Sequence, residues 1–170
     1  VYWNDDNVSP AGKFRIFNAD GTAATGEITD PSNYFTSNIE GFIASHGTGG
    51  LITVGISGVN FTDRIYVQRY NSDGTSNGNA IEVIGAGNYD DAKIVRLSNG
   101  NYVVTWTDTS NTPPFNKGPV VYAQVIDGSG QKVGSMFTVS DDVFSEHSQS
   151  EITALADGKY AVSWLMRPDN

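Results

Sequence analysis

One stretch of this chain occurs twice without a gap. Residues 95–106 read VRLSNGNYVVTW, and residues 153–164 read TALADGKYAVSW. Their turn glycines, Gly100 and Gly158, stand 58 residues apart. A degraded copy covers 44–55, with Gly49 at the turn, Leu51-Ile52-Thr53-Val54 as the strand, and Gly55 where the other copies carry Trp. Val1-Tyr2-Trp3 reads as the end of the same strand from a preceding copy. A second element alternates with the first: FRIFNADG at 14–21, VQRYNSDG at 67–74 and AQVIDGSG at 123–130. Each is followed by a further glycine (Gly26, Gly78, Gly134) and then a β-branched or aromatic run such as 81–84 or 137–139. Self-similarity at a period of about 53 residues marks a repeat architecture, in which one unit buries its apolar face only by stacking on the next.

Each unit therefore holds two hairpins, and so four strands. Asn99-Gly100 and Asp157-Gly158 favour the positive φ of tight hairpin turns. The Asn-x-Asp-Gly turns place glycine in the left-handed position after a type I turn. In the strand 102–106, Tyr102, Val104 and Trp106 face one way, and Val103 and Thr105 the other. Neither face is strongly polar, so both must be covered. The same pattern holds at 160–164, whereas 64–70 is more mixed. Composition agrees: Val, Ile, Thr and Tyr sit in short runs between Gly, Asn, Asp and Ser, and no long segment carries helical periodicity.

The expected fold is all-β, a single repeat domain over 1–170, with three four-stranded repeats forming β-propeller-like blades. The units run approximately 4–55, 56–106 and 107–164. A β-trefoil, also three four-stranded repeats, is the alternative. A count of three favours the trefoil, because propellers usually close with four to eight blades. The two-sided apolar strands favour the propeller. The chain begins at Val1 rather than Met, which reads as a processed protein or a piece of a longer one.

Charge narrows the partners. With 10 Lys plus Arg against 19 Asp plus Glu, the net charge is -9. Phosphate binding needs clustered cations, so no nucleic-acid partner is expected. No apolar run reaches the length of a membrane span, so no membrane insertion is expected. Cysteine is absent, which in a domain of this size says little about compartment.

The segments LADGKYAVSW (155–164) and YAQVIDGSGQKVG (122–134) resemble a tandem repeat of very large secreted bacterial proteins of the haemolysin-type calcium-binding (RTX-like) and adhesin kind, whose pattern is roughly "LaDGgfVVtW…vyaQrfdadGtavG". The match covers the second and third units well and the first poorly. The resemblance implies an extracellular or cell-surface location, bacterial export, and a scaffold or adhesive role without enzymatic activity. The calcium-binding nonapeptide of that family, rich in Gly-Gly-x-Gly-x-Asp, is absent, so its calcium-roll chemistry is not carried over.

Candidate sites fall mainly in the variable loops 4–12, 57–63 and 107–119, which a radial arrangement would gather on one face. Phe61 and Phe115 lie in equivalent loops, with Asn60 and Asp108 as polar neighbours; an apolar ring in a polar loop is a candidate binding group. Calcium takes six to eight oxygen ligands, and the acidic pairs Asp5-Asp6 and Asp141-Asp142 are its best candidates. Asp20, Asp73 and Asp127 read first as turn residues. His46 and His147 occupy non-equivalent repeat positions, and Ser145-Glu146-His147-Ser148 holds triad residue types without the geometry a triad needs. The glutamates mark out no pair for glycoside hydrolysis. Trp106 and Trp164 sit at a repeated strand end and read as core, while Gln68 and Gln124 read as a repeated hydrogen-bonding position. The function expected is a non-enzymatic adhesion or binding module. The alternatives are a lectin with one carbohydrate site per unit, and a structural spacer or filament subunit that binds copies of itself. A glycan or a surface protein is the expected partner.

Overall fold

The computed structural model describes residues 2–4, 12–29, 42–47, 49–58, 62–110, 118–140 and 146–167. They form thirteen strands: β1 (Tyr2–Asn4), β2 (Gly12–Phe14), β3 (Ile28–Thr29), β4 (Phe42–His46), β5 (Gly50–Ser57), β6 (Asp63–Tyr70), β7 (Ile81–Gly87), β8 (Tyr89–Arg96), β9 (Tyr102–Asp108), β10 (Val120–Ile126), β11 (Lys132–Thr138), β12 (Glu146–Ala154) and β13 (Tyr160–Arg167). A short 3₁₀ turn, Ala156–Gly158, joins the last two. Four antiparallel sheets follow in chain order: β1-β2-β3, β4-β5-β6-β7, β8-β9-β10-β11 and β12-β13. The strands form open four-stranded meanders rather than a closed barrel, so the fold is all-β and propeller-like, and the trefoil alternative finds no support among the described residues.

The sheets are out of phase with the sequence units. The second sheet takes the last hairpin of the first unit and the first hairpin of the second, and the third sheet straddles the next boundary in the same way. The reason is local pairing. The short turns at 97–101 and 155–159 join neighbours into hairpins, and the longer loops that begin the units lie between the second and third strands of one sheet.

Stacking buries both faces of β9. Tyr102, Val104 and Trp106 join Ile52, Val54, Ile65, Val67 and Val83 of the second sheet in one core. Val103 faces the other way and packs with Ala123, Ile152, Ala154 and Tyr160, linking the third sheet to the fourth. Trp106, Tyr102 and Val103 are each 1% exposed or less. Burying a large apolar side chain contributes roughly 1.5–3 kcal/mol, so this one strand anchors three sheets. In each of the two four-stranded sheets the first strand, β4 or β8, is the one followed by the tight turn, and β8 and β12 pack across the face of the preceding sheet.

Both kinds of hairpin use one turn design. Gly100 donates its N–H to Leu97 O (3.0 Å), Leu97 donates to Asn101 O (2.8 Å), and Gly100 has φ 89°. Gly74 and Asn71 repeat this with Asn71 O and Thr75 O. Asn99 therefore does not take the positive φ expected of it; the glycine alone does. At the third turn Asp157 (φ 59°) and Gly158 (φ 73°) both do.

Candidate functional site

The second and third sheets meet, at the ends of their strands where the variable loops depart, in a patch of tyrosines and carboxylates. β6 begins there with Asp63, β8 with Tyr89, and β9 ends there with Asp108. The Tyr89 N–H donates to Asp63 Oδ2 (3.4 Å), which ties the two sheets together. Asp108 accepts from the Ser110 N–H (2.8 Å), and Thr109 donates its N–H and its hydroxyl to Asn88 O (2.8 and 3.1 Å). The loop stem after β9 is thus fastened to the connection before β8. Tyr122 pairs with Trp106 across β9 and β10, and their rings stack at 6.1 Å with 21° between planes.

Tyr89 and Tyr122 are half-buried. Burial raises the Tyr89 hydroxyl pKa, and Asp108, Asp63 and Glu82 push it the same way. Burial likewise raises Tyr122, with Asp108 adding to it. Both hydroxyls therefore stay protonated at neutral pH and can donate as well as accept. Tyr66 stands one repeat earlier than Tyr122, opposite Gly55 rather than Trp106. Its hydroxyl donates to Glu82 Oε2 (3.3 Å), and Arg64 Nη1 donates to the same oxygen (2.6 Å). Two neighbouring units thus present a tyrosine at one repeat position beside a carboxylate. Half-buried rings flanked by fixed carboxylates suit a ligand with an apolar face and hydroxyls around its edge.

Of the sequence candidates, Asp108 lies in this patch. Asn60, Phe61, Phe115, Asp5, Asp6, Asp141 and Asp142 lie outside the described residues. Among the described residues, no group of three or more His, Asp or Glu side chains is placed to hold a metal ion. Asp63, Tyr66, Tyr89 and Tyr122 were missed. The signal for Tyr66 and Tyr122 was their shared place two residues before Gln68 and Gln124; nothing in the sequence brings Asp63 to Tyr89.

The other candidates are structural. Asp20, Asp73 and Asp127 each accept a backbone N–H and a hydroxyl from the residue two positions on, Thr22, Thr75 or Ser129, at 2.6–2.9 Å. The hydroxyl bond, the leading cause, lowers each carboxyl pKa. Gln68 and Gln124 are buried, and their amides donate to backbone carbonyls of the same sheet (2.7 Å to Arg69 O, 2.8 Å to Val125 O). Trp106 is fully buried, as a core role requires, and Trp164 is half-buried. His46 sits at the opposite end of the sheets from the patch, hydrogen-bonded through Nδ1 to the Tyr102 hydroxyl. Burial, then Arg69 and Arg96, lowers its pKa.

No family model matches the chain, and no curated protein matches it. Among solved structures it is similar in fold to a variant of the NanB sialidase from Streptococcus pneumoniae, with a TM-score of 0.59 and 15% sequence identity. The match covers 96% of this chain and 25% of that one, so the chain spans about a quarter of the sialidase's length. At this identity the likeness is one of fold, and it agrees with the propeller-like stacking of open four-stranded sheets.

Proposed function

We propose that the chain is a non-enzymatic binding module that takes a neutral glycan at the tyrosine–carboxylate patch, and that it works at the outside of a bacterial cell. The observation that carries this reading is the placement of Tyr89 and Tyr122 beside Asp63 and Asp108, where two sheets join and the variable loops depart. A pyranose offers an apolar face for an aromatic ring and equatorial hydroxyls for carboxylates. Likeness of fold to a sialidase is consistent with a saccharide ligand. Charge points away from an acidic sugar: the net charge is -9, and Arg64 at the patch is already paired with Glu82. The non-enzymatic part of the reading rests on the repeat's resemblance to scaffold and adhesin-type proteins rather than on the patch. The extracellular and adhesive setting rests on the repeat's resemblance to secreted adhesin-type proteins.

A glycan array followed by titration calorimetry tests the reading. Neutral oligosaccharides should bind, Asp108→Asn and Tyr89→Ala should each weaken binding at least tenfold, and a fluorogenic sialoside should not be cleaved. Binding untouched by both substitutions would place the ligand elsewhere. Cleavage of the sialoside would overturn the non-enzymatic part.

A further inference from the structure

The sheets mate by a repeated contact with two halves. The last strand of one sheet offers an apolar side chain. The next sheet receives it at the glycine that ends its four-residue turn (71–74 or 127–130). Ile28 of β3 lies against Gly74, and Ile81 of β7 lies against Gly130, so closely that a Cβ on either glycine would overlap the isoleucine Cδ1. On the same receiving face Tyr70 is fully buried, with Phe14 edge-on to it at 4.8 Å, and Ile126 is 1% exposed. Isoleucine follows glycine at an offset of seven in two repeats (Gly21 and Ile28, Gly74 and Ile81), and the same step from Gly130 reaches Phe137.

Each half also occurs once without a mate among the described residues. Phe137 is 41% exposed, and Val133 on the same face of β11 is 44% exposed. Gly21, with φ +85°, has nothing within 4 Å of the place its Cβ would occupy. Phe17, at the position of Tyr70 and Ile126, is 46% exposed. An unfilled socket thus stands on the first sheet and an unseated knob on the third. The fourth sheet has two strands where its neighbours have four, and its edge strand β13 exposes Leu165 (53%) and Met166 (55%). A two-stranded sheet is marginal alone, and a long edge invites another strand.

We infer that a second copy of this chain docks head to tail on this face, seating Phe137 of one copy against Gly21 and Phe17 of the other. The β2–β3 hairpin of the second copy then extends β12–β13 to the strand order of the complete sheets. In those sheets Val54 pairs with Val67, and Thr105 with Ala123. The equivalent pairing sets Ser163 opposite Phe14 and Trp164 opposite Lys13, the place held within one copy by β1, three residues long. β1 yields to the eight-residue β13. The interface is heterologous, with different surfaces on the two copies, so it propagates unless the rotation closes a ring.

Light scattering after gel filtration, at about 100 μM where even a micromolar contact is populated, should give a mass of at least twice 18.2 kDa. Phe137→Glu and Phe17→Glu each change an exposed ring, so both variants should fold, as far-UV circular dichroism can verify. Each alone should run at 18.2 kDa. Mixed in equal amounts, they should form a 1:1 dimer, because one retains the knob and the other the socket. A monomeric wild type, or variants that fail to complement, would overturn the inference. Neither result touches the glycan reading: Tyr89 and Tyr122 lie on the face of the third sheet turned to the second, whereas Phe137 pairs with Ala123 on the face turned to the fourth.

Discussion

Removing one carboxylate should cost this fold a large part of its stability. Asp91 lies in a bulge of β8, between Asp90 and Lys93, with φ 55°. It is 9% exposed, and its Oδ1 holds the Lys93 ammonium, itself 5% exposed. Its Oδ2 accepts the backbone N–H of Ser150 on β12, so the side chain also fastens the third sheet to the fourth. Asp91→Ala breaks a buried ion pair by removing its carboxylate, which costs about 3–5 kcal/mol. It also removes the short polar side chain that eases left-handed backbone, which adds to the loss. A domain holding roughly 5–15 kcal/mol would lose about a fifth or more. Asp91→Asn should cost less, because asparagine tolerates that φ and still accepts from Ser150. The double variant Asp91→Asn/Lys93→Met should recover about 2 kcal/mol or more of the sum of its single changes, since an apolar replacement of a buried pair is often near neutral. Urea unfolding followed by the fluorescence of buried Trp106 measures all of these. An alanine variant within about 1 kcal/mol of wild type, or strictly additive single changes, would refute the buried-pair reasoning.

Trp106→Ala should destabilise by about 3–5 kcal/mol, because the ring is 0% exposed against the second sheet, and the midpoint of urea unfolding reads the loss. Acid should weaken the fold through the Asp-Gly turns. Asp20, Asp73 and Asp127 are held below their ordinary value of 3.8 when folded, so their contribution is complete above that value and is lost as pH falls below it through the folded pKa. Melting temperatures between about pH 5 and about pH 2, which bracket that value, should fall less in the triple Asp→Asn variant than in wild type; parallel curves would show that the turns do not couple to protons.

The repeat, the hairpin turns and the need to cover both faces of β9 were legible in the sequence, because each depends on local spacing. Alternation alone places Val103 opposite to Tyr102 and Trp106, and the structure buries it between the third and fourth sheets. The sheet phase was not legible. A repeat fixes which strands recur but leaves open which loop falls inside a sheet, and pairing through the tight turns decides that. The bulge at Asp91 was also hidden, although the bulge of β12 repeats it at Gln149 (φ 53°): Asp and Gln share no signature, and the bulge shows only in backbone geometry. Of the patch, Asp108 was legible as a polar neighbour of a variable loop, whereas Tyr89 reaches it only because β8 begins where β9 ends.

The degraded copy has its own logic. Gly55 stands where Trp106 and Trp164 stand in the later strands. Trp106 lies on the face of β9 turned to the second sheet, and Trp164 shares the face of Tyr160, turned to the third. In both cases a full four-stranded sheet stands opposite. Gly55 pairs with Tyr66 and turns toward the first sheet, whose described strands are three, three and two residues long. An indole stabilises this position only where enough apolar surface exists to remove it from water. Of these three copies, the two that face a four-stranded sheet carry tryptophan, and the one that faces the short described strands of the first sheet carries glycine. The sequence difference between copies follows from the neighbour each copy must cover, rather than from a loss of the repeat's own hairpins.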